Sequence, residues 1–297
     1  TYGGATVGSL SGGGASPLVV TFTSAATPAI AQAILRNVTY SNTSDAPSAP
    51  LSRSLCFVVT DGAGGTSASV TQTLVIVPVN DAPVVAGIAG SAGYVEKGVV
   101  QPASSATVSD VDSFDFDTGK LTVSVSANAQ ATDRLEIRGE GSDVGQVGVS
   151  GTSVTYGGVP VGTFAGGTSG TVPLVVTFNA TATAPVVQAV VRAVSYRSTS
   201  DNPVPLTRGL RYVLTDGDGG TSSPSIQTVV ITPVNDAPVL GGVAASVSYT
   251  ENAVLPVAAS GTVTDVDSPT LSGGTLTVSI TGNGDAATDR LAIRQQG

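Results

Sequence analysis

The stretch Pro78-Val79-Asn80-Asp81-Ala82-Pro83-Val84 returns unchanged as Pro233-Val234-Asn235-Asp236-Ala237-Pro238-Val239, 155 residues further on. The sequence around the two copies repeats as well. Thr1-Tyr2-Gly3-Gly4 matches Thr155-Tyr156-Gly157-Gly158, and Gln32, Arg36, Tyr40, Ser44 and Asp45 match Gln188, Arg192, Tyr196, Ser200 and Asp201. Thr60-Asp61-Gly62 matches Thr215-Asp216-Gly217, while Glu96, Asp110 and Asp112 match Glu251, Asp265 and Asp267. The offset stays between 154 and 156, so insertions are few. With the linker as boundary, residues 1–82 are the C-terminal part of one repeat, 83–237 a complete repeat, and 238–297 the N-terminal part of the next. The expectation is a slice of a longer array, in which function gathers at the junctions rather than in one active site.

Charged residues make up 11% of the chain, against about 25% in ordinary globular proteins. Thr, Ser, Val, Ala and Gly take their place, a profile that suits strands and turns and disfavours long helices. The net charge of −9 with no basic cluster makes nucleic acid and anionic membranes poor partners, and cations good ones. A single cysteine excludes an internal disulfide. Cys56 lies in an alternating segment where Leu55, Phe57 and Val59 face one way, and its counterpart is Arg211, so it reads as an exposed, incidental thiol. No apolar run approaches the roughly 18 residues of a membrane helix.

Leu121–Val125, Leu174–Phe178, Leu210–Leu214 and Thr228–Thr232 alternate with the period of half-buried strands. Residues 183–192 and 26–36 differ: a Thr and a Pro near the start, then apolar residues at spacings of three and four, predict one short N-capped helix per repeat. The predicted fold class is all-β, tandem antiparallel β-sandwiches with a short crossover helix in each. After the turn at Asp216–Gly220, about twelve residues run to the linker; extended, they span roughly 40 Å. Asp216 is therefore expected at the pole opposite Asn235 and Asp236, beside Asn80 and Asp81; Asp110 and Asp112 follow the linker after one long strand excursion, and composition alone does not require them to return to that pole.

These motifs resemble the cadherin and bacterial cadherin-like repeat families. In both, an Asn-Asp linker is followed by a Glu about fifteen residues on and an Asp-x-Asp about thirty on, with an Asp-Gly near the last hairpin. Here Asn80-Asp81, Glu96, Asp110-Val111-Asp112 and Asp216-Gly217 are followed by Asn235-Asp236, Glu251 and Asp265-Val266-Asp267. The Asp-Gly-Asp-Gly-Gly-Thr-Ser run at 216–222 looks most like bacterial repetitive surface proteins, and the resemblance covers most of the chain outside 142–187. It implies cadherin-like, immunoglobulin-like sandwiches with Ca²⁺ at the junctions. The implied ligands at the first junction are Asn80, Asp81, Asp110, Asp112 and Asp216. At the second they are Glu96, Asn235, Asp236, Asp265 and Asp267. Asp61 would serve a junction upstream, and Glu251 repeats Glu96 for the next one. Asp45 and Asp201 are the residues available in place of the Asp-Arg-Glu tripeptide of animal cadherins. The chemistry agrees, since Ca²⁺ takes six to eight oxygens from carboxylates, amide carbonyls and water.

Taken singly, each acidic motif is an ordinary turn; it is the joint recurrence that points to a metal. Asp115, Asp117 and Asp218 have no counterpart in the other copy and read as solvated turn residues. Asp133-Arg134, repeated as Asp289-Arg290, reads as a surface pair, and Arg36 and Arg192 as internal salt-bridge or helix-end residues. With no His, nucleophilic schemes that need His are excluded from these residues, and carboxylate pairs repeated in every module do not suit glycoside hydrolysis. The expected function is not enzymatic. It is an extracellular, secreted or surface-attached bacterial repeat array, either the stalk of an adhesin or the strand of a filament. The rival readings are a filament subunit that assembles without calcium and an adhesin module binding a carbohydrate or surface receptor. Partners would be neighbouring repeats or copies of the chain; aromatics at 4% provide no sugar-stacking platform.

Overall fold

In the computed structural model, which describes residues 1–88 and 90–295, the chain forms two compact units, Thr1–Pro78 and Val79–Gly297. In the first, β1 (Gly8–Ser11) pairs antiparallel with β2 (Val19–Phe22), helix α1 (Pro28–Leu35) follows, and β3 (Ser52–Phe57) pairs antiparallel with β4 (Val70–Val75). Thr27 caps α1 by accepting the Ile30 N–H at 3.4 Å, and Pro28 needs no donor there. Leu55 and Phe57 are half-buried and Cys56 between them is exposed, as the alternation predicts.

The second unit begins with β5 (Val84–Ala86), β6 (Ser91–Val95), β7 (Thr107–Ser109), β8 (Lys120–Ala127), β9 (Asp133–Ile137), β10 (Val147–Ser150) and β11 (Ser153–Tyr156). It continues through β12 (Val159–Ser169), β13 (Val172–Phe178), α2 (Ala184–Ala193), β14 (Val194–Ser198), β15 (Arg208–Leu214), β16 (Ser225–Thr232), β17 (Val239–Gly241) and β18 (Thr262–Thr264). Eight strands form one mixed sheet in the order β10-β11-β12-β13-β8-β15-β16-β6. Every pairing in it is antiparallel except β16 with β6, which run parallel with Thr228 beside Ser91 and Thr232 beside Val95. Pairs β9–β14 and β5–β7 are separate antiparallel ribbons.

Alternation decides which sheet face is buried. Leu121 and Val123 on β8, Leu174 and Val176 on β13, and Leu210, Tyr212 and Leu214 on β15 are fully buried and share one core with Leu135, Val194, Tyr196 and the apolar face of α2. Each such side chain contributes roughly 1.5–3 kcal/mol on burial. Helix α2 is rich in Val, a mediocre helix former, so packing decides its conformation. It buries Val186, Val187, Val190, Val191 and Ala193. Thr183 precedes it in extended conformation but makes no side-chain cap, unlike Thr27. The matching helix α1 has no fully buried residue, only half-buried ones such as Ile30 and Ile34; α2 packs on β7 and β10, and residues 1–78 align with 155 onward and hold no counterpart of those strands.

A polar pin crosses this core. Arg208 on β15 and Asp133 on β9 are both fully buried and paired, Nε to Oδ2 at 3.0 Å. The Tyr196 hydroxyl donates to Asp133 Oδ1 at 2.6 Å, and the Gln130 N–H donates to Oδ2 at 2.7 Å. The Tyr94 ring meets Tyr196 edge-on, centroids 5.2 Å apart, and its hydroxyl accepts the Ser198 N–H at 3.0 Å. The surface pair expected at Asp133-Arg134 is thus corrected: strand pairing turns Asp133 inward, where its partner is Arg208, while Arg134 binds the carbonyls of Ala131 and Asp133. Arg192 makes a helix-end contact, Nε to the Ala106 carbonyl at 2.7 Å, and Gln188 Oε1 accepts the Val108 N–H at 3.2 Å.

Candidate functional site

The local structure after each Asn-Asp linker is built twice with the same register. Strand β5 pairs Val84, Val85 and Ala86 with Ser109, Val108 and Thr107, and β17 pairs Val239, Leu240 and Gly241 with Thr264, Val263 and Thr262. That pairing returns Asp110-Val111-Asp112 to the first linker and Asp265-Val266-Asp267 to the second. The Asp81 N–H donates to Asp112 Oδ2 at 3.1 Å, and the Asp236 N–H to Asp267 Oδ2 at 3.0 Å. Asp110 Oδ1 accepts the N–H groups of Asp112 and Ser113 at 3.2 and 3.1 Å; Asp265 Oδ1 does the same for Asp267 and Ser268 at 3.2 and 2.9 Å. Asn80 and Asn235 each donate to the carbonyl of the following Asp.

At the first linker, Asp216 arrives from the end of β15. It is almost fully buried, and its Oδ1 accepts the N–H groups of Asp218, Gly219 and Gly220 at 2.8, 3.0 and 2.9 Å. Asn80 Nδ2 donates to its Oδ2 at 2.9 Å, tying turn 216–220 to the linker. A side chain at Gly220 would put a Cβ 2.6 Å from the Asp81 carbonyl oxygen, so this close approach requires glycine. The geometry thus brings Asn80 to Asp216, Asp81 to Asp112, and Asp112 to Asp110.

The second linker receives Glu96 because β6 runs parallel to β16. Both strands end there: the Glu96 N–H donates to the Thr232 carbonyl at 3.0 Å, and Glu96 Oε2 accepts the Val234 N–H at 2.9 Å. The Glu96 side chain is fully buried. Glu96, Asn235, Asp236, Asp265 and Asp267 are all in this region, and Asp201 lines the same cleft as Asp236 and Asp265. Lys97, which sequence reasoning passed over, contacts Asp236 Oδ1 and stands 3.8 Å from Glu96 Oε1. Asp61 lies in the other unit, where its Oδ1 caps the turn at Ala63 and Gly65 at 2.8 and 2.9 Å, repeating the Asp216 turn. Glu251 is exposed in the turn before Ala253 and meets none of the other candidates.

Among the described residues, several buried carboxylate oxygens have no hydrogen-bond partner: Asp110 Oδ2 and Asp112 Oδ1 at the first linker, and Glu96 Oε1, Asp236 Oδ2 and Asp267 Oδ1 at the second. Each costs about 1–3 kcal/mol in desolvation while unpaired. Burial, reinforced by the like charge of Asp112, holds the Asp110 carboxyl above its usual range despite two N–H donors that act the other way. Its counterpart Asp265 has the same donors with less burial, and the Ser268 N–H foremost holds it below that range. Hard oxygen donors in pairs, with lone pairs unused, suit Ca²⁺ rather than a soft metal. Among the described residues no three acidic side chains already close round a single point, so enclosing an ion requires side-chain rotation. Compared with known proteins, the chain matches no family model, no curated protein and no solved structure. Among the described residues no helix is long and apolar enough to cross a membrane.

Proposed function

We propose that the chain is part of an extracellular bacterial array of tandem cadherin-like β-sandwiches, with Ca²⁺ bound at the Asn-Asp linkers to hold successive modules extended. The array serves as an adhesin stalk or filament strand and carries no catalysis. The observation supporting this most is the pair of linker cradles built with matching strand register and hydrogen bonds, each with buried carboxylate oxygens that have no hydrogen-bond partner among the described residues. The ligands are Asn80, Asp81, Asp110, Asp112 and Asp216 at the first linker, and Glu96, Asn235, Asp236, Asp265 and Asp267 at the second. Asp61 and Glu251 would belong to sites completed by further repeats.

An ion in such a cradle relieves carboxylate repulsion and satisfies the stranded lone pairs, so it converts a strained joint into a fixed one. Extracellular modules bind with dissociation constants of roughly 10⁻⁴–10⁻³ M, which matches millimolar calcium outside a cell. The test compares the whole chain in calcium and in chelator. Calcium should lengthen the particle in small-angle scattering, raise the melting temperature and protect residues 78–84 and 233–239 from protease. Identical behaviour on all three measures refutes calcium joints. Ordered fibres forming from the purified chain alone would select the filament over the stalk.

A further inference from the structure

The second linker already contains a cation of its own. Lys97 directly follows Glu96 and adopts a left-handed backbone, φ +64°, unusual for a non-glycine residue. That conformation sends its ammonium back over the linker, where it contacts Asp236 Oδ1 and lies 3.8 Å from Glu96 Oε1. Asp201 and Asp265 line the same cleft. The Glu96 side chain is fully buried and its Oε1 has no hydrogen-bond donor, so the charge it faces is that ammonium. The next repeat keeps the geometry and drops the charge: the position aligned with Lys97 is Asn252, φ +62°.

We infer that Lys97 is a tethered monovalent substitute for one calcium ion, so that the second linker is partly closed without metal and takes up calcium more weakly, or with one ion fewer, than a linker whose preceding repeat carries Asn at this place. This rests on the calcium reading of the linkers. A divalent ion entering between Glu96 and Asp236 would have to displace the ammonium or bind beside it, and either lowers its affinity. Lys or Asn at this position would then decide whether the joint depends on calcium or stays fixed when it is withdrawn.

The experiment uses the whole chain with Lys97→Asn, the residue of the next repeat, and Lys97→Arg, which keeps the charge. Calcium is titrated by calorimetry, and amide exchange is followed separately at 79–84 and 233–239. In chelator, Lys97→Asn should exchange faster at 233–239 than the wild type, while Lys97→Arg stays near it. On adding calcium, Lys97→Asn should gain one ion or bind about tenfold tighter at that linker. The first linker should not change. If calcium protects 79–84 in all three proteins but 233–239 behaves alike in wild type and Lys97→Asn, the substitution idea is overturned and the calcium reading stands. If neither linker responds to calcium in any of them, the calcium reading itself falls and the inference falls with it.

Discussion

Replacing Asp112 by Asn separates the two roles of its carboxylate. The Asn oxygen can still accept the Asp81 N–H, now 3.1 Å from Asp112 Oδ2, so the linker keeps its backbone anchor. The negative charge, and with it the repulsion on Asp110, disappears. Asp110 now titrates above the usual 3.8, chiefly through burial and then through Asp112. A raised carboxyl pKa contributes stability below pH 3.8 that is lost as the pH rises through the folded value, so at neutral pH the ion-free linker bears the repulsion in full. Two unit charges 4 Å apart repel by about 1 kcal/mol in water, and the partial exposure of both groups keeps the value near that end. In chelator, Asp112→Asn should therefore match the wild type or gain up to about 1 kcal/mol. In calcium at ten times the dissociation constant, the proposed binding should add about 1.4 kcal/mol per site to the wild type, or about 3–6 °C in melting temperature for a domain of this size. The variant should forfeit most of that gain at the first linker and none at the second. The assay is thermal unfolding by circular dichroism in chelator and in calcium, with protease cleavage at 78–84 and 233–239 to localise the change. The reasoning is refuted if Asp112→Asn loses stability in chelator, or if its calcium increment equals that of the wild type.

Two further predictions concern the core. Asp133→Ala leaves Arg208 buried without its partner and should cost about 3–5 kcal/mol in urea denaturation, whereas Asp133→Leu combined with Arg208→Met should recover much of the loss; equal losses would mean that the ion pair is not the interaction being read. Of the seven tyrosines, Tyr196 and Tyr212 are pushed well above their usual 10, both by burial foremost and Tyr196 also by Asp133. Their neutral forms contribute stability below pH 10 that is lost as the pH rises towards the folded values. Spectrophotometric titration should show Tyr196 and Tyr212 silent until alkaline unfolding releases both together, and ionisation of either before unfolding would contradict their burial.

Much of the β-architecture was legible because the period-two stretches are long enough to identify, and β8, β13, β15 and β16 all contain the expected runs. The poles were legible too. One extended strand, β16, separates Asp216 from Asn235, and Asn80 does reach Asp216. What escaped was long-range register. Asp133 is polar in a charged-looking Asp-Arg-Leu-Glu segment, and only its pairing opposite Ser198 and its approach to Arg208 make it a core residue. Recurrence held the signal, since Arg208 repeats as Arg53, Tyr196 as Tyr40 and Asp133 as Asp289. Lys97 escaped for the opposite reason: it does not recur, its aligned residue being Asn252, and its contacts with Asp236 and Glu96 leave no local pattern. Two copies of β6 would not have revealed that this strand lies parallel to β16, because pairing partners 137 positions apart leave no local pattern.

That parallel pairing governs how the module bears a load. A pull applied at its two linkers draws the beginning of β6 and the end of β16 in opposite directions along the strand axis. Strands paired parallel, Ser91 beside Thr228 through Val95 beside Thr232, then slide past one another, and all their ladder hydrogen bonds are strained together rather than opened one after another. The first strand of the ladder thereby fastens the last, and tension between the two linkers meets this unit in shear, the direction in which a β-ladder yields least readily.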